Sequence, residues 1–210
     1  MTSVAVVDYG MGNLTSVARA FEVLYADVVV TNKARDLEEA HRIVLPGVGA
    51  FGEGMRNLRE LDLVEALEEQ VRRLGKPFLG ICLGMELLAI ESYEAGHHRG
   101  LGWLDAVAEP VNIDDPSVKT IHIGWNDVVP IGASVLLDQL GRSPNFYFVH
   151  GYRLRCRDRA CVRGVTEYGG EVPAVVESRN VAGVQFHPEK SQETGLALLR
   201  NFLQWRPSAC

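Results

Sequence analysis

Three stretches of the chain carry side chains that could act together in nucleophilic catalysis. The first is Pro77-Phe78-Leu79-Gly80-Ile81-Cys82-Leu83-Gly84-Met85-Glu86-Leu87-Leu88. Pro77 to Ile81 reads as a short buried strand, and Leu83, Leu87, Leu88 and Ile90 then recur at helical spacing. Cys82 sits at the joint, with a glycine two residues before it and two after. This is the spacing of a nucleophile elbow with Cys in place of Ser. Side chains beside the nucleophile would not fit in so sharp a turn, and strained backbone angles come most easily to glycine. A sulfur at a helix N-terminus is expected to feel the positive end of the dipole, which favours the thiolate. The Leu83 N–H is expected to point where an oxyanion would form. A buried structural cysteine is the plainer reading of a lone Cys; the paired glycines speak against it.

The second stretch is Pro46-Gly47-Val48-Gly49-Ala50-Phe51-Gly52-Glu53-Gly54. Gly47, Gly49 and Gly52 spell G-x-G-x-x-G after a strand, so a dinucleotide site is a rival reading. Pro46 stands where that strand should run smoothly into the turn. An amphipathic helix, Asp62 to Leu74, occupies the place where a second strand with a terminal acid would belong. The preferred reading is a loop that presents backbone N–H groups to a developing negative charge. A loop that only needs tight turns ranks second.

The third stretch is Val184-Gln185-Phe186-His187-Pro188-Glu189-Lys190-Ser191. An apolar strand, Val181 to Phe186, ends in His-Pro-Glu. A cysteine nucleophile needs a base that takes its proton and returns it, and His titrates in the right range. The base needs a third group to fix its tautomer. Pro188 locks φ between His187 and Glu189, which holds imidazole and carboxylate in one arrangement. Alone, these residues read as a surface turn before a last helix, Ser191 to Trp205. Together the three stretches supply nucleophile, oxyanion donors and base at the ends of successive strands, where open α/β sheets place their sites.

The elements that must position these groups alternate. Val4 to Val7 is a continuous apolar run, as in a strand covered on both faces. A turn-rich loop, Asp8 to Asn13, leads into a helix from Leu14 to Tyr25 with Leu14, Val17, Ala18, Phe21 and Leu24 on one face. Val28 to Thr31 and Ile43 to Leu45 are strands with a short helix, Leu37 to Ala40, between them. This order implies right-handed βαβ units and a parallel sheet. Ser92 to Gly102 is a polar, Gly-rich loop, and His97 and His98 are read as solvated. From Trp103 the pattern shifts to short β-like runs: Trp103 to Val111, Thr120 to Ile123, Asp127 to Val129, Phe146 to Val149 and Cys161 to Thr166. That half is read as mixed and partly antiparallel. Arg153 to Arg159 reads as a solvated edge strand and turn. No linker, repeat or low-complexity segment separates the halves, so one domain over 1–210 is the simpler reading.

The 210 residues are 47% hydrophobic, which suits one compact domain with its own core, or two small ones. A net charge of −6 without a Lys/Arg block argues against nucleic acid and anionic membrane as partners. No apolar run reaches membrane-spanning length, and the start of the chain lacks the marks of a signal peptide. A cytoplasmic protein is expected. Four cysteines, Cys82, Cys156, Cys161 and Cys210, give no disulfide scaffold. Cys156 and Cys161 with His97 and His98 match no structural zinc spacing, and Cys210 is expected to fray. No metal and no cofactor are expected.

Pro46-Gly47-Val48-Gly49, Gly80-Ile81-Cys82-Leu83-Gly84 and Phe186-His187-Pro188-Glu189 resemble the class I (triad) glutamine amidotransferases. Asp8-Tyr9-Gly10-Met11-Gly12-Asn13-Leu14, Phe51-Gly52-Glu53-Gly54-Met55, His122-Ile123-Gly124-Trp125-Asn126, Tyr147-Phe148-Val149-His150 and His187 to Ser191 narrow the resemblance to the glutaminase subunits of imidazole glycerol phosphate synthases. It runs nearly end to end. It implies a flavodoxin-like, doubly wound α/β fold, a mostly parallel sheet with a mixed or antiparallel extension. It implies hydrolysis of L-glutamine to glutamate and ammonia, and a heterodimer with a (β/α)8-barrel synthase subunit. That subunit would use the ammonia to make imidazole glycerol phosphate and aminoimidazole carboxamide ribotide in histidine biosynthesis. By motif match Cys82 is the nucleophile, His187 the general base and acid, and Glu189 the orienting carboxylate. Val48 and Leu83 supply the oxyanion N–H groups. Gly49, Glu86, Gly151 and Tyr152 contact glutamine, and Trp125-Asn126 faces the partner.

Two residues depart from that pattern. Glu86 stands where the family usually has Gln; a carboxylate there could accept from the substrate α-ammonium but would repel its α-carboxylate. Gly151 stands where a Ser or Thr hydroxyl is common, a contact whose loss costs about 0.5–1.5 kcal/mol. Three alternatives remain: a paralogue that feeds ammonia to another pathway, a cysteine hydrolase of the peptidase or deglycase type, and a non-catalytic assembly subunit.

Overall fold

The computed structural model describes residues 2–111 and 120–207; Cys210 lies outside them. In chain order the main elements are β1 (Ser3–Val7), α1 (Leu14–Val23), β2 (Asp27–Thr31), α2 (Ala34–Glu39), β3 (Arg42–Gly47), α3 (Phe51–Glu60), α4 (Leu63–Leu67), β4 (Phe78–Cys82) and α5 (Leu83–Glu86). There follow β5 (Glu91–Ser92), β6 (His98–Arg99), β7 (Ala106–Pro110), β8 (His122–Asp127), β9 (Val129–Pro130), β10 (Asn145–His150), β11 (Tyr152–Cys156), β12 (Val162–Glu167), β13 (Glu171–Ser178), β14 (Val181–Val184) and α6 (Gln192–Gln204).

The main sheet has the order β2-β1-β3-β4-β14-β13-β12-β9. Its first five strands are parallel, and the rest join antiparallel. This is the doubly wound, flavodoxin-like order with an antiparallel extension. The alternation of a strand covered on both faces is visible in β1. Val4 and Val6 enter a core with Val17 and Phe21 of α1 and Leu198 and Phe202 of α6. Ala5 and Val7 enter the opposite core with Leu37, Met55, Leu58 and Leu67. An antiparallel ribbon, β8 with β10, and a four-stranded sheet, β11-β7-β5-β6, complete the fold.

Several elements differ from the sequence reading. The stretch read as a loop through Gly54 becomes helical at Phe51, because the Glu94 carboxylate, brought from 43 residues away, accepts the Phe51 N–H at 2.6 Å. The predicted helix from Asp62 is α4 continued by π-helical turns over Glu68–Arg73. Strand β13 lies between β12 and β14 but went unread, since Pro173 falls in its run. The proline sits opposite Val165, beside a register shift that tolerates it. The helix expected after Cys82 is a single turn, and Ile90, assigned to its apolar face, is 40% exposed. Arg153 to Arg159 begins as an edge strand, as read.

Candidate active site

Cys82 ends β4 in the middle of the sheet, beside Gly47 at the end of β3. Its backbone takes φ 53° and ψ −111°, so the strain of the elbow rests on the cysteine itself. The flanking glycines serve close approach instead. A Cβ on Gly80 would lie 2.5 Å from the Gly84 carbonyl oxygen, and one on Gly84 would collide with the Leu45 carbonyl. Gly47 is equally constrained, by the Tyr9 hydroxyl and Leu83. Gly49 needs its positive φ of 110° to turn the loop over the elbow.

The Leu83 N–H donates to the Cys82 sulfur, and the thiol donates to the Val149 carbonyl at 3.8 Å. The expectation that a helix dipole favours the thiolate is corrected. Burial, and next the Glu86 carboxyl, push the thiol pKa up against the Leu83 N–H. A helix of one turn has little dipole to oppose them.

His187 follows β14, the other parallel neighbour of β4. Its Nδ1 meets Glu189 Oε1 at 2.8 Å, with both side chains almost wholly buried. A carboxylate there makes Nδ1 the protonated nitrogen and leaves Nε2 free to accept a proton. Nε2 is buried and has no hydrogen-bond partner. Pro188 begins a 3₁₀ turn that brings Glu189 back beneath the ring. Ser191, which closes the third stretch and had no role assigned to it there, anchors this turn: its Oγ donates to the His187 carbonyl at 2.6 Å and accepts the Tyr147 N–H at 3.0 Å.

A cavity of about 360 Å³ opens above Cys82. Val48, Gly49, Leu83, Glu86, Gly151 and Tyr152, all singled out in the sequence, line it with Cys82, while His187 and Glu189 do not. Glu94, Ile121, Val149 and His150 complete its wall; Val149 and His150 belong to the motif from Tyr147 to His150, while only proximity in the fold reveals Glu94 and Ile121. Glu86 is 5% exposed, and its Oε1 accepts from Gln185 Nε2 at 2.9 Å. Burial raises its pKa to about 7 although the Gln185 amide opposes the shift. Gln185 Oε1 is buried without a donor, so a protonated Glu86 suits this neighbour better than an ionised one. Gly151 presents no side chain, and a Cβ there would have room, 3.8 Å from Ile121.

His150 is held from behind. Its Nδ1 donates to the Tyr152 carbonyl at 2.7 Å, and its Nε2 accepts from His122 Nδ1 at 3.0 Å. Asn126 donates to His122 Nε2 at 3.2 Å. Every proton in the chain is thereby assigned, and both rings are neutral. Burial lowers each pKa to about 4. His97 instead pairs with Glu91 at 2.9 Å, and His98 packs over Gly52. Among the described residues no three His, Cys, Asp or Glu side chains gather as a metal site, and no helix is long and apolar enough to cross a membrane.

A parallel five-stranded core carries a cysteine elbow at the end of β4 and, just past the adjacent β14, a buried His187–Glu189 pair. The family model for glutamine amidotransferase class-I matches residues 5–205. The chain belongs to that family. It is 45% identical over 210 residues to the imidazole glycerol phosphate synthase subunit HisH of Zymomonas mobilis, covering 98% of this chain and 97% of the relative. The HisH subunit of Aquifex aeolicus is 48% identical over 200 residues, covering 94% of each. Among solved structures, a glutamine amidotransferase superposes with a TM-score of 0.74 at 22% identity, covering 96% of this chain and 97% of that one. PurLQS from Thermotoga maritima gives 0.73 at 20%, covering 97% and 98%. The two structures share the fold.

Proposed function

We propose that the chain is the glutaminase subunit of imidazole glycerol phosphate synthase, supplying ammonia for histidine biosynthesis. In this reading His187 Nε2 takes the Cys82 proton as sulfur attacks the glutamine amide carbon. The oxyanion forms against the N–H groups of Leu83 and Val48. His187 then protonates the leaving nitrogen, and ammonia departs. Water, deprotonated by the same imidazole, hydrolyses the thioester to glutamate. Glu189 holds the ring and stabilises its charged form. Gly49, Glu86, Gly151 and Tyr152 form the glutamine pocket.

The observation that carries this reading is the buried His187–Glu189 bond at 2.8 Å, with an unpartnered Nε2, just past the end of the strand next to the Cys82 elbow. The partner in this reading is a (β/α)8-barrel synthase subunit, bound as a heterodimer in the cytoplasm. Ile121, Ile123 and Trp125 support a docking face beside the cavity mouth: they alternate along one face of the β8 segment and are 49%, 60% and 48% exposed. Ammonia would cross that interface without reaching water, and the barrel's overall reaction is of the lyase type. Free hydrolysis would waste glutamine, so activity is expected to be low alone and to rise on docking.

The test is glutamate release from glutamine by the purified chain, alone and with a barrel subunit plus its nucleotide ligand. Release that rises strongly in the complex is expected. Equal rates with and without the partner would sink the activation claim. A stable complex with no release would favour the assembly-subunit reading.

A further inference from the structure

Arg42 opens β3, at the end of the parallel strands opposite to Cys82, which closes β4. It is 6% exposed. Its Nη2 donates to the Leu203 carbonyl at 2.7 Å and to the Trp205 carbonyl at 2.8 Å, and so caps the C-terminal end of α6. Its guanidinium carbon lies 5.6 Å from the centre of the Phe202 ring. Capping uses one nitrogen only. Nε and Nη1 are buried with no hydrogen-bond partner. Among the described residues no carboxylate pairs with this guanidinium. The negative end of α6 offsets part of its charge. Burial, and next the Arg206 charge, act the other way and pull its pKa down. A cation this deep is ordinarily paired.

A cavity of about 460 Å³ opens against it. Arg42, Arg206 and His41 line this cavity with Thr2, Pro77 and Trp205, and no Asp or Glu does. Arg206 is exposed and has no ion-pair partner among the described residues. His41 Nδ1 accepts the Ser3 N–H at 3.2 Å, which places the ring proton on Nε2 as a free donor. Asp27, Asp36 and Glu39 line a separate hollow that His41 also borders. There Thr31 donates to Asp36, and Arg35 pairs with Glu39 at 2.9 Å.

We infer that this cavity binds a phosphate group, as the free ion or as the monoester of a small metabolite, at a site separate from the Cys82 centre. Two guanidinium charges with no carboxylate between them match a group that carries about two negative charges near neutral pH. Arg206 offers the forked donors that suit two phosphate oxygens. The His41 Nε2–H and the Thr2 hydroxyl are further donors in the wall. An anion held by Arg206 also relieves the repulsion between the two cations and gives the buried Arg42 charge its missing counterion.

The test is calorimetric titration and thermal unfolding of the full chain in phosphate-free buffer at about pH 7.5, where phosphate is mostly dianionic, and at constant ionic strength. The probes are inorganic phosphate, phenyl phosphate and acetate. Saturable binding of one phosphate per chain is expected, with a Tm that rises with occupancy and acetate at least about tenfold weaker. Phenyl phosphate binding more tightly than inorganic phosphate assigns a monoester; equal affinity assigns the free ion. Arg206→Gln changes an exposed side chain and should weaken phosphate at least about tenfold. Arg42→Met removes the buried charge and should abolish the rise in Tm; if that chain fails to fold, Arg206→Gln decides alone. No saturable binding, acetate binding as tightly as phosphate, or an unchanged affinity in Arg206→Gln would each overturn the assignment.

Discussion

Replacing Glu86 by Gln removes one titratable group from the cavity wall and keeps its shape. In the wild-type chain burial raises this carboxyl from 4.5 to about 7. At about 1.36 kcal/mol for each tenfold change in proton activity, the ionised form is disfavoured by about 3 kcal/mol. The sign follows from linkage. Below pH 4.5 the group is protonated whether the chain is folded or not, and no penalty applies. Between 4.5 and about 7 the unfolded chain gives up its proton first, so wild-type stability falls as pH rises. Above about 7 the whole penalty stands. The amide carries none of it. Its oxygen still accepts from Gln185 Nε2, and its NH₂ offers a donor to the unpartnered Gln185 Oε1. Urea unfolding across this range should show the two chains nearly equal at the acid end and Glu86→Gln more stable by about 3 kcal/mol near pH 8. The KM for glutamine in the complex should diverge over the same range, rising for the wild type as Glu86 ionises against the α-carboxylate. A stability difference that does not change with pH would refute the reasoning.

Other substitutions probe the frame. Gly84→Ala drives a methyl into the Leu45 carbonyl and should cost at least about 3 kcal/mol, read as a lowered Tm or an insoluble chain. Ser191→Ala removes the bonds to the His187 carbonyl and the Tyr147 N–H; a loss of about 1–2 kcal/mol is expected. Because it shifts the base and not the pocket, kcat should fall while KM holds. Glu189→Gln keeps the shape but no longer fixes the tautomer of His187, so kcat should drop by about 10³-fold or more with folding intact by circular dichroism.

What the sequence discloses follows the range of the forces involved. Strands β1, β3 and β4 and helix α1 were legible because their apolar periods are local. The start of α3 was hidden because its cap is a side chain 43 residues away, and β13 because its proline is excused only by the neighbouring bulge. The three motif stretches fall at the ends of β3, β4 and β14, since each meets a local need for a turn, a close approach or a rigid dipeptide. The far wall of the cavity at Glu94 and Ile121 carries no local signal. The state of Cys82 was misjudged for a related reason. A glycine-flanked helix start is visible in the chain, but the burial and the Glu86 carboxyl that outweigh it are not.

The central claim is that Cys82 carries the acyl group of glutamine between two steps. Acid quench of the complex during turnover, followed by intact-mass analysis and proteolytic mapping, tests it directly. The account predicts a glutamyl thioester on Cys82, absent in Cys82→Ala together with glutamate formation. Glutamate released at wild-type rates by Cys82→Ala, or an adduct on another residue, would contradict it.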